Sequence, residues 1–145
     1  MSNTPHSRFQ HAVHEADEVL RDVAEALGQP DRQVAYHALK GTLAELRDRL
    51  PPDDACDLAA QLPLLVRGLY FEGYRPHGKP VKMDREAFLE RVRQELAVVR
   101  PVQPERAATA ALSVLARRVS AGEWAQVRHL LPADLRSLVP EPASA

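Results

Sequence analysis

One short apolar segment occurs twice in the chain, and each copy is interrupted by a Leu-Pro step. The copies span 59–69 and 128–138, and their prolines, Pro63 and Pro132, lie 69 positions apart (132 − 63 = 69). The same offset relates further pairs at helical spacing: Leu20 and Leu89, Val23 and Val92, Leu27 and Leu96, Leu43 and Leu112, Leu46 and Leu115, Arg49 and Arg118, Arg67 and Arg136, and Leu69 and Leu138. Matches across a whole half predict a duplicated helical unit.

Apolar residues recur three and four positions apart, and no stretch alternates convincingly with a period of two. The first predicted helix, 7–27, has a stripe formed by Phe9, Val13, Ala16, Leu20, Val23 and Leu27. We therefore predict an all-α fold, a helical bundle made of two tandem four-helix repeats related by a pseudo-two-fold axis. The repeats cover about 7–71 and 84–139, a linker loop covers 72–83, and the tail 140–145 should fray. Because one repeat alone leaves its stripes uncovered, residues 1–145 are predicted to form a single domain.

The expected helix ends follow from capping chemistry. Asp31 and Asp84 precede apolar-periodic segments, where a carboxylate can accept from backbone N–H groups that have no partner inside the helix. Pro63 is predicted to be the first residue of the fourth helix, because its missing N–H costs nothing there.

The balance of charge argues against several classes of partner. Lys and Arg number 19 against 20 Asp and Glu, and both signs are mixed along the predicted helices. Mixed charge is typical of solvated helix faces, whereas a nucleic-acid partner would require a basic stripe. No apolar run approaches the roughly 20 residues that a bilayer span needs, and the first residues lack the apolar core of a signal peptide. With Cys56 as its only cysteine, the chain is predicted to be a soluble cytoplasmic protein.

The linker loop is the main candidate for a partner-binding site, because binding residues are over-represented on loops. The candidate residues in the loop or just before it combine aromatic area with positive charge: Tyr70, Phe71, Tyr74, Arg75, Lys79 and Lys82. Aromatic residues and Arg are favoured in protein-binding hot spots. The alternative is that the tyrosines fold back and seal the gap between the two halves.

No catalytic residue and no cofactor are predicted. His11, His14 and Glu15 are weak candidates for metal ligands, because His at i and i+3 share a helix face. A solvated amphipathic helix explains them as well. Cys56 is interpreted as a small packing residue in the third helix.

Two arginine pairs recur in both halves: Arg49 with Arg118, and Arg67 with Arg136. We interpret them as structural, since guanidinium groups can bind carbonyls at helix ends and pair with carboxylates such as Asp134 or Asp54. The alternative is that duplicate arginines bind two anions related by the two-fold axis.

The chain also resembles a known family. The stretch 65–76, the following Lys79-Pro80 and the stretch 86–92 resemble the bacterial domain-of-unknown-function family 2267, and 60–63 and the second Leu131-Pro132 fit its pattern. The resemblance covers nearly the whole chain. It implies a small helical bacterial protein with an associative link to stress genes, and it carries over no activity and no catalytic residues.

These observations lead to one functional prediction and one alternative. The prediction is a non-enzymatic, stress-associated protein-interaction module that holds a protein partner or its own twin through the linker loop or a surface of one half. The alternative is a small-ligand- or metal-binding protein, with or without enzymatic activity, whose pocket lies between the two repeats.

Overall fold

The computed structural model of the protein describes residues 4–99 and 101–142. Within these residues the chain forms seven α-helices and one 3-10 helix: α1 (Pro5–Leu27), α2 (Arg32–Asp48), α3 (Pro52–Ala59), α4 (Leu64–Phe71), α5 (Arg85–Leu96), α6 (Pro104–Arg118), α7 (Ala121–Leu130) and the 3-10 helix Ala133–Leu135. This part of the chain has no strand, which confirms the predicted all-α class. None of its helices is both long enough and apolar enough to cross a bilayer.

Side chains cap the helices where the sequence indicates. Asp31 accepts from the backbone N–H of Gln33 at the start of α2, and Asp84 accepts from that of Ala87 at the start of α5. The prediction for Pro63 is wrong by one residue, because α4 begins at Leu64. Pro63 has an extended backbone, with ψ 152°, while its carbonyl accepts the first helical hydrogen bond, so it is the N-cap.

Helix α2 lies at the centre of the bundle and packs against α1, α4, α5 and α6. Further contacts join the first half to the second, with α1 against α6 and α3 against α7. The buried apolar side chains form one cluster drawn from both halves. The two halves therefore share a core, while the pseudo-two-fold relation between them stays a prediction.

The two halves approach closely at Gly41, where α2 meets α5. A Cβ atom on Gly41 would lie 3.1 Å from Glu95 Cβ and 3.6 Å from Val92 Cα. The Glu95 carboxylate also bridges back to α2, with Oε2 2.6 Å from His37 Nδ1. This contact leaves little room for a larger residue at Gly41.

The apolar stripe of α1 is only partly buried, which corrects the predicted stripe. Phe9 and Val13 are 65% and 55% exposed. Val23 and Leu27 of the predicted stripe are buried, and Val19, which was not part of it, is buried with them. The stripe therefore faces the core at the C-terminal end of α1 and lies in solvent at its N-terminal end.

Contacts with α7 hold the first residues of the C-terminal tail, Pro140 and Glu141. Trp124 is completely buried and its Nε1 donates to the carbonyl of Pro140 over 2.9 Å, while Arg128 pairs with Glu141 at 3.2 Å. The tail expected to fray from residue 140 is therefore anchored at its first two residues, and 143–145 lie outside the described residues.

Candidate functional site

Residues 72–84 connect the halves without a helix, and the C-terminal end of α2 holds both ends of this linker. Arg47 Nη1 donates to the carbonyls of Tyr70 and Glu72 over 2.8 and 2.9 Å. At the far end, the N–H of Val81 donates to the carbonyl of Asp48 over 2.7 Å. Sequence reasoning missed Arg47, because the residue 69 positions later is Ala116 and Arg47 is therefore not one of the repeated arginines.

The aromatics Tyr70 and Phe71 at the end of α4 and Tyr74 of the linker pack together as a cluster. The Tyr70 and Phe71 rings lie 5.0 Å apart, the Phe71 and Tyr74 rings 5.6 Å apart, and the Arg47 guanidinium lies 5.5 Å from the centre of the Tyr74 ring. Tyr70 is completely buried and its hydroxyl donates to the carbonyl of Ala55 over 2.9 Å. Burial raises the pKa of Tyr70 and of Tyr74. Tyr70 must therefore be corrected from a partner-binding candidate to a core residue, because no partner can reach it.

The remaining linker candidates differ in exposure. Arg75 and Lys82 are exposed, Lys79 and Tyr74 are half-buried, and Phe71 turns toward α1 and α2. The six residues therefore do not form one surface. The structure brings the aromatics together, while Arg75 and Lys82 stay exposed.

The weak metal candidates are surface residues that pair with acids along α1. His11 Nε2 lies 3.6 Å from Glu15, and His14 Nε2 lies 2.9 Å from Glu18. In residues 4–99 and 101–142, no three His, Cys, Asp or Glu side chains are grouped so that they could hold a metal ion. Cys56 is exposed, and its neighbour Ala55 takes the buried position, so the packing role assigned to Cys56 is wrong.

Of the repeated arginines, Arg67 and Arg136 bind carbonyls. Arg67 donates to Ala59 and Leu62 over 3.0 Å each, and Arg136 donates to Arg128 and His129 over 3.3 and 3.0 Å. The Nε acceptors, Ala59 and Arg128, are themselves 69 positions apart.

Arg49 and Arg118 pair with carboxylates, although not with those expected. Arg49 pairs with Glu45, one helical turn earlier, at 2.9 Å, and Arg118 reaches across to Asp22 on α1 at 2.6 Å. Asp134, one of the expected partners, accepts from the backbone N–H of Arg85 over 3.0 Å instead. Arg49 thus finds its partner Glu45 one turn away on its own helix, and Arg118 finds Asp22 where α6 packs against α1.

An open apolar groove lies between α1, α2 and α4, with a volume of about 520 Å³. We call it the α4 groove and define it by Leu20, Tyr36, Leu65, Leu69 and Phe71. Its wall is exposed, since Leu65 and Tyr36 are 45% and 36% accessible. Large exposed apolar areas of this kind mark interaction surfaces more often than chance.

The groove continues along α1 as an apolar row that is half-buried at Ala16 and Leu20 and exposed at Phe9 and Val13. We call this row the α1 stripe and define it as Phe9, Val13, Ala16 and Leu20, of which Ala16 and Leu20 also line the groove. Sequence reasoning missed this surface because it assigned the stripe to the core. The available signal was the run Leu64-Leu65-Val66, which puts apolar residues on more than one face of a short helix.

Comparison with known proteins gives one match. A family model described as Uncharacterized conserved protein (DUF2267) matches residues 16–138. No curated protein matches the chain. The matched region contains the α4 groove and the linker, and it begins within α1, after Phe9 and Val13.

Proposed function

Because the chain belongs to the DUF2267 family of uncharacterized conserved proteins, we propose its function from its own surface: a non-enzymatic interaction module that forms a homodimer through the α1 stripe and the α4 groove. A bacterial cytoplasmic location and a link to stress stay predictions from the sequence and its resemblance. The observation that carries the proposal is the run of exposed and half-buried apolar side chains formed by the stripe and the groove.

The spacing of the α1 stripe suits pairing with a second copy. Its residues are separated by four, three and four positions, so the row reads the same in both directions. When two such helices pair antiparallel about a two-fold axis, Phe9 of each copy lies opposite Leu20 of the other, and Val13 lies opposite Ala16. A self-complementary surface of this kind is what a symmetric dimer requires.

The two ends of the surface also differ in shape in a complementary way. Phe9 protrudes with 65% of its surface exposed, whereas Leu20 lines a groove of about 520 Å³. The antiparallel pairing brings the Phe9 ring of one copy to the groove of the other. Each copy therefore supplies both the protruding side chain and the apolar recess that receives it, so both ends of the surface are covered at once.

The test is the mass of the protein in solution as a function of concentration, measured by sedimentation equilibrium. We expect the wild type to form a dimer and Val13→Ser to shift it toward the monomer. Val98→Ser is the matched control, because Val98 is 69% exposed and lies outside the stripe and the groove. A monomeric wild type at all concentrations, or equal effects of the two substitutions, would refute the proposed dimer.

The alternative function, a small-ligand site between the two halves, is favoured by a different observation. A second cavity lies where the linker meets the end of α7, and the buried Arg49 forms part of its wall.

A further inference from the structure

The cavity beside Arg49 has a volume of about 540 Å³ and lies between the end of the linker, the end of α7 and the 3-10 helix. Its charged and titratable lining residues are Arg49, Lys82, Asp84, His129, Asp134 and Arg136. The volume is within the range of about 300–1,000 Å³ that is typical of small-molecule sites.

Arg49 is the unusual member of this lining. Its side chain is only 1% exposed, and Nη1 is used by the Glu45 carboxylate at 2.9 Å and the Glu45 carbonyl at 3.2 Å. Nε and Nη2 are buried and have no hydrogen-bond partner among the described residues. These two nitrogens form one edge of the guanidinium plane, the fork that binds two oxygens of a carboxylate or phosphate at once.

The equivalent arginine of the second half shows what this fork lacks. Arg118, 69 positions later, directs Nη2 to the Asp22 carboxylate at 2.6 Å. Arg49 has no such acid at its fork and packs over the Phe88 ring, 5.2 Å from the ring centre. Burial also lowers the pKa of Arg49 and raises that of Glu45, because it removes water from both side chains and so disfavours their charged forms. Arg49 thus keeps two donors that no described residue uses.

The charges around the cavity favour an anion. Three cationic side chains line it, Arg49, Lys82 and Arg136, against two acids, and Arg49 is also paired with the Glu45 carboxylate. Both acids are used at the start of α5: Asp84 accepts from the N–H of Ala87 over 2.9 Å, and Asp134 from that of Arg85 over 3.0 Å. Their negative charge is therefore partly neutralised by backbone donors at a helix N-terminus.

We propose that this cavity binds a small phosphorylated molecule, whose phosphate oxygens accept from Nε and Nη2 of Arg49 and pair with Lys82. Because both nitrogens are buried, side chains of the cavity lining must move as the ligand enters. Lys82 is exposed on the linker and carries its charge to the phosphate. The site is separate from the proposed dimer surface and does not depend on it.

The test uses inorganic phosphate and glycerol phosphate as probes, added at constant ionic strength, with thermal unfolding and calorimetric titration as readouts. We expect a saturable rise in Tm with both probes, and tighter binding of the ester because it fills more of the cavity. Lys82→Ser should weaken binding about tenfold, the effect of one lost charge-assisted contact. Arg75→Ser is the control, because Arg75 is an exposed linker cation that does not line the cavity.

A second variant tests the fork itself. Arg49→Lys keeps the positive charge but removes the planar pair of donors, so we expect it to abolish saturable binding while circular dichroism stays helical. If Arg49→Lys does not fold, the comparison of Lys82→Ser with Arg75→Ser decides the matter. The proposal is overturned if phosphate gives no saturable response in the wild type, if both serine variants weaken binding equally, or if folded Arg49→Lys binds like the wild type.

Discussion

The contact at Gly41 allows a quantitative test of how the two halves pack. Gly41→Ala adds one methyl group where α2 meets α5, and Gly68→Ala adds the same group on α4, where nothing lies within 4 Å of the new atom. Both positions are helical. The two variants therefore share the change in backbone propensity and differ in packing.

The expected magnitudes follow from these two effects. Alanine stabilises a helix interior by about 0.5–1 kcal/mol relative to glycine. At Gly41 the new Cβ would be 3.1 Å from Glu95 Cβ, an atom fixed to the α5 backbone, so α5 itself must shift. Overpacking of this kind costs about 1–3 kcal/mol. We expect Gly41→Ala to destabilise the protein by about 1 kcal/mol and Gly68→Ala to stabilise it by up to about 1 kcal/mol.

Thermal unfolding measures both changes. At this chain length, 1 kcal/mol corresponds to a shift in Tm of roughly 2–4 °C, so the two variants should move in opposite directions by about that amount. Both are made in the Val13→Ser background, so that the proposed dimer does not contribute. If Gly41→Ala raises the Tm as much as Gly68→Ala does, the α2–α5 contact is not tight and the reasoning fails.

Two further predictions concern the linker and Glu123, a half-buried acid of α7. Arg47→Met removes the donor to the Tyr70 and Glu72 carbonyls, and we expect amide hydrogen exchange across 72–81 to become faster, while Arg75→Met, at an exposed linker cation, leaves it unchanged. Burial is the main cause that raises the pKa of Glu123, and the charges of Asp57 and Asp54 raise it further. The protonated side chain therefore contributes stability that is fully present below the ordinary pKa of 4.5 and is lost as pH rises through the raised pKa. Glu123→Gln, which is neutral at every pH, should raise the Tm at neutral pH and leave it unchanged well below 4.5.

Each of these predictions has an outcome that contradicts it. Equal exchange in Arg47→Met and the wild type would mean that the linker is held by other contacts. Glu86→Gln is the control for the acid, because Glu86 is exposed in the first turn of α5. A rise in Tm at neutral pH that is equal for Glu86→Gln and Glu123→Gln would point to net charge and not to burial.

The class of the fold was predictable because helix periodicity and capping act locally. Asp31 and Asp84 cap helices from the positions where their sequence neighbours require an acceptor. The buried face of α1 was less predictable, since Phe9, Val13 and Val19 are all apolar and lie on neighbouring parts of one helix. Which of them is covered depends on how α2 and α6 approach, and that is a tertiary property.

The candidate surfaces were the least predictable part. Aromatic and basic residues close together in the linker suggested one site, but Tyr70 finds a hydrogen-bond partner in Ala55 and moves into the core, while the cations stay in water. Arg49 was singled out by its repeat partner, yet only the structure distinguishes its unused fork from the paired Arg118. Sequence patterns identify residue types, and the partner each one finds depends on elements far away along the chain.

Because both linker ends are attached to α2, a cut in the linker should leave the fold intact. Glu72 is fixed by Arg47 and Val81 by the carbonyl of Asp48, so the segment between them spans two anchors that are only one residue apart on α2. Hydrolysis of the peptide bond after the exposed Gly78 would leave each new terminus tied to the same helix end. The severed pieces would remain associated through their common interior, and new chain termini engineered at this position should be compatible with the native fold.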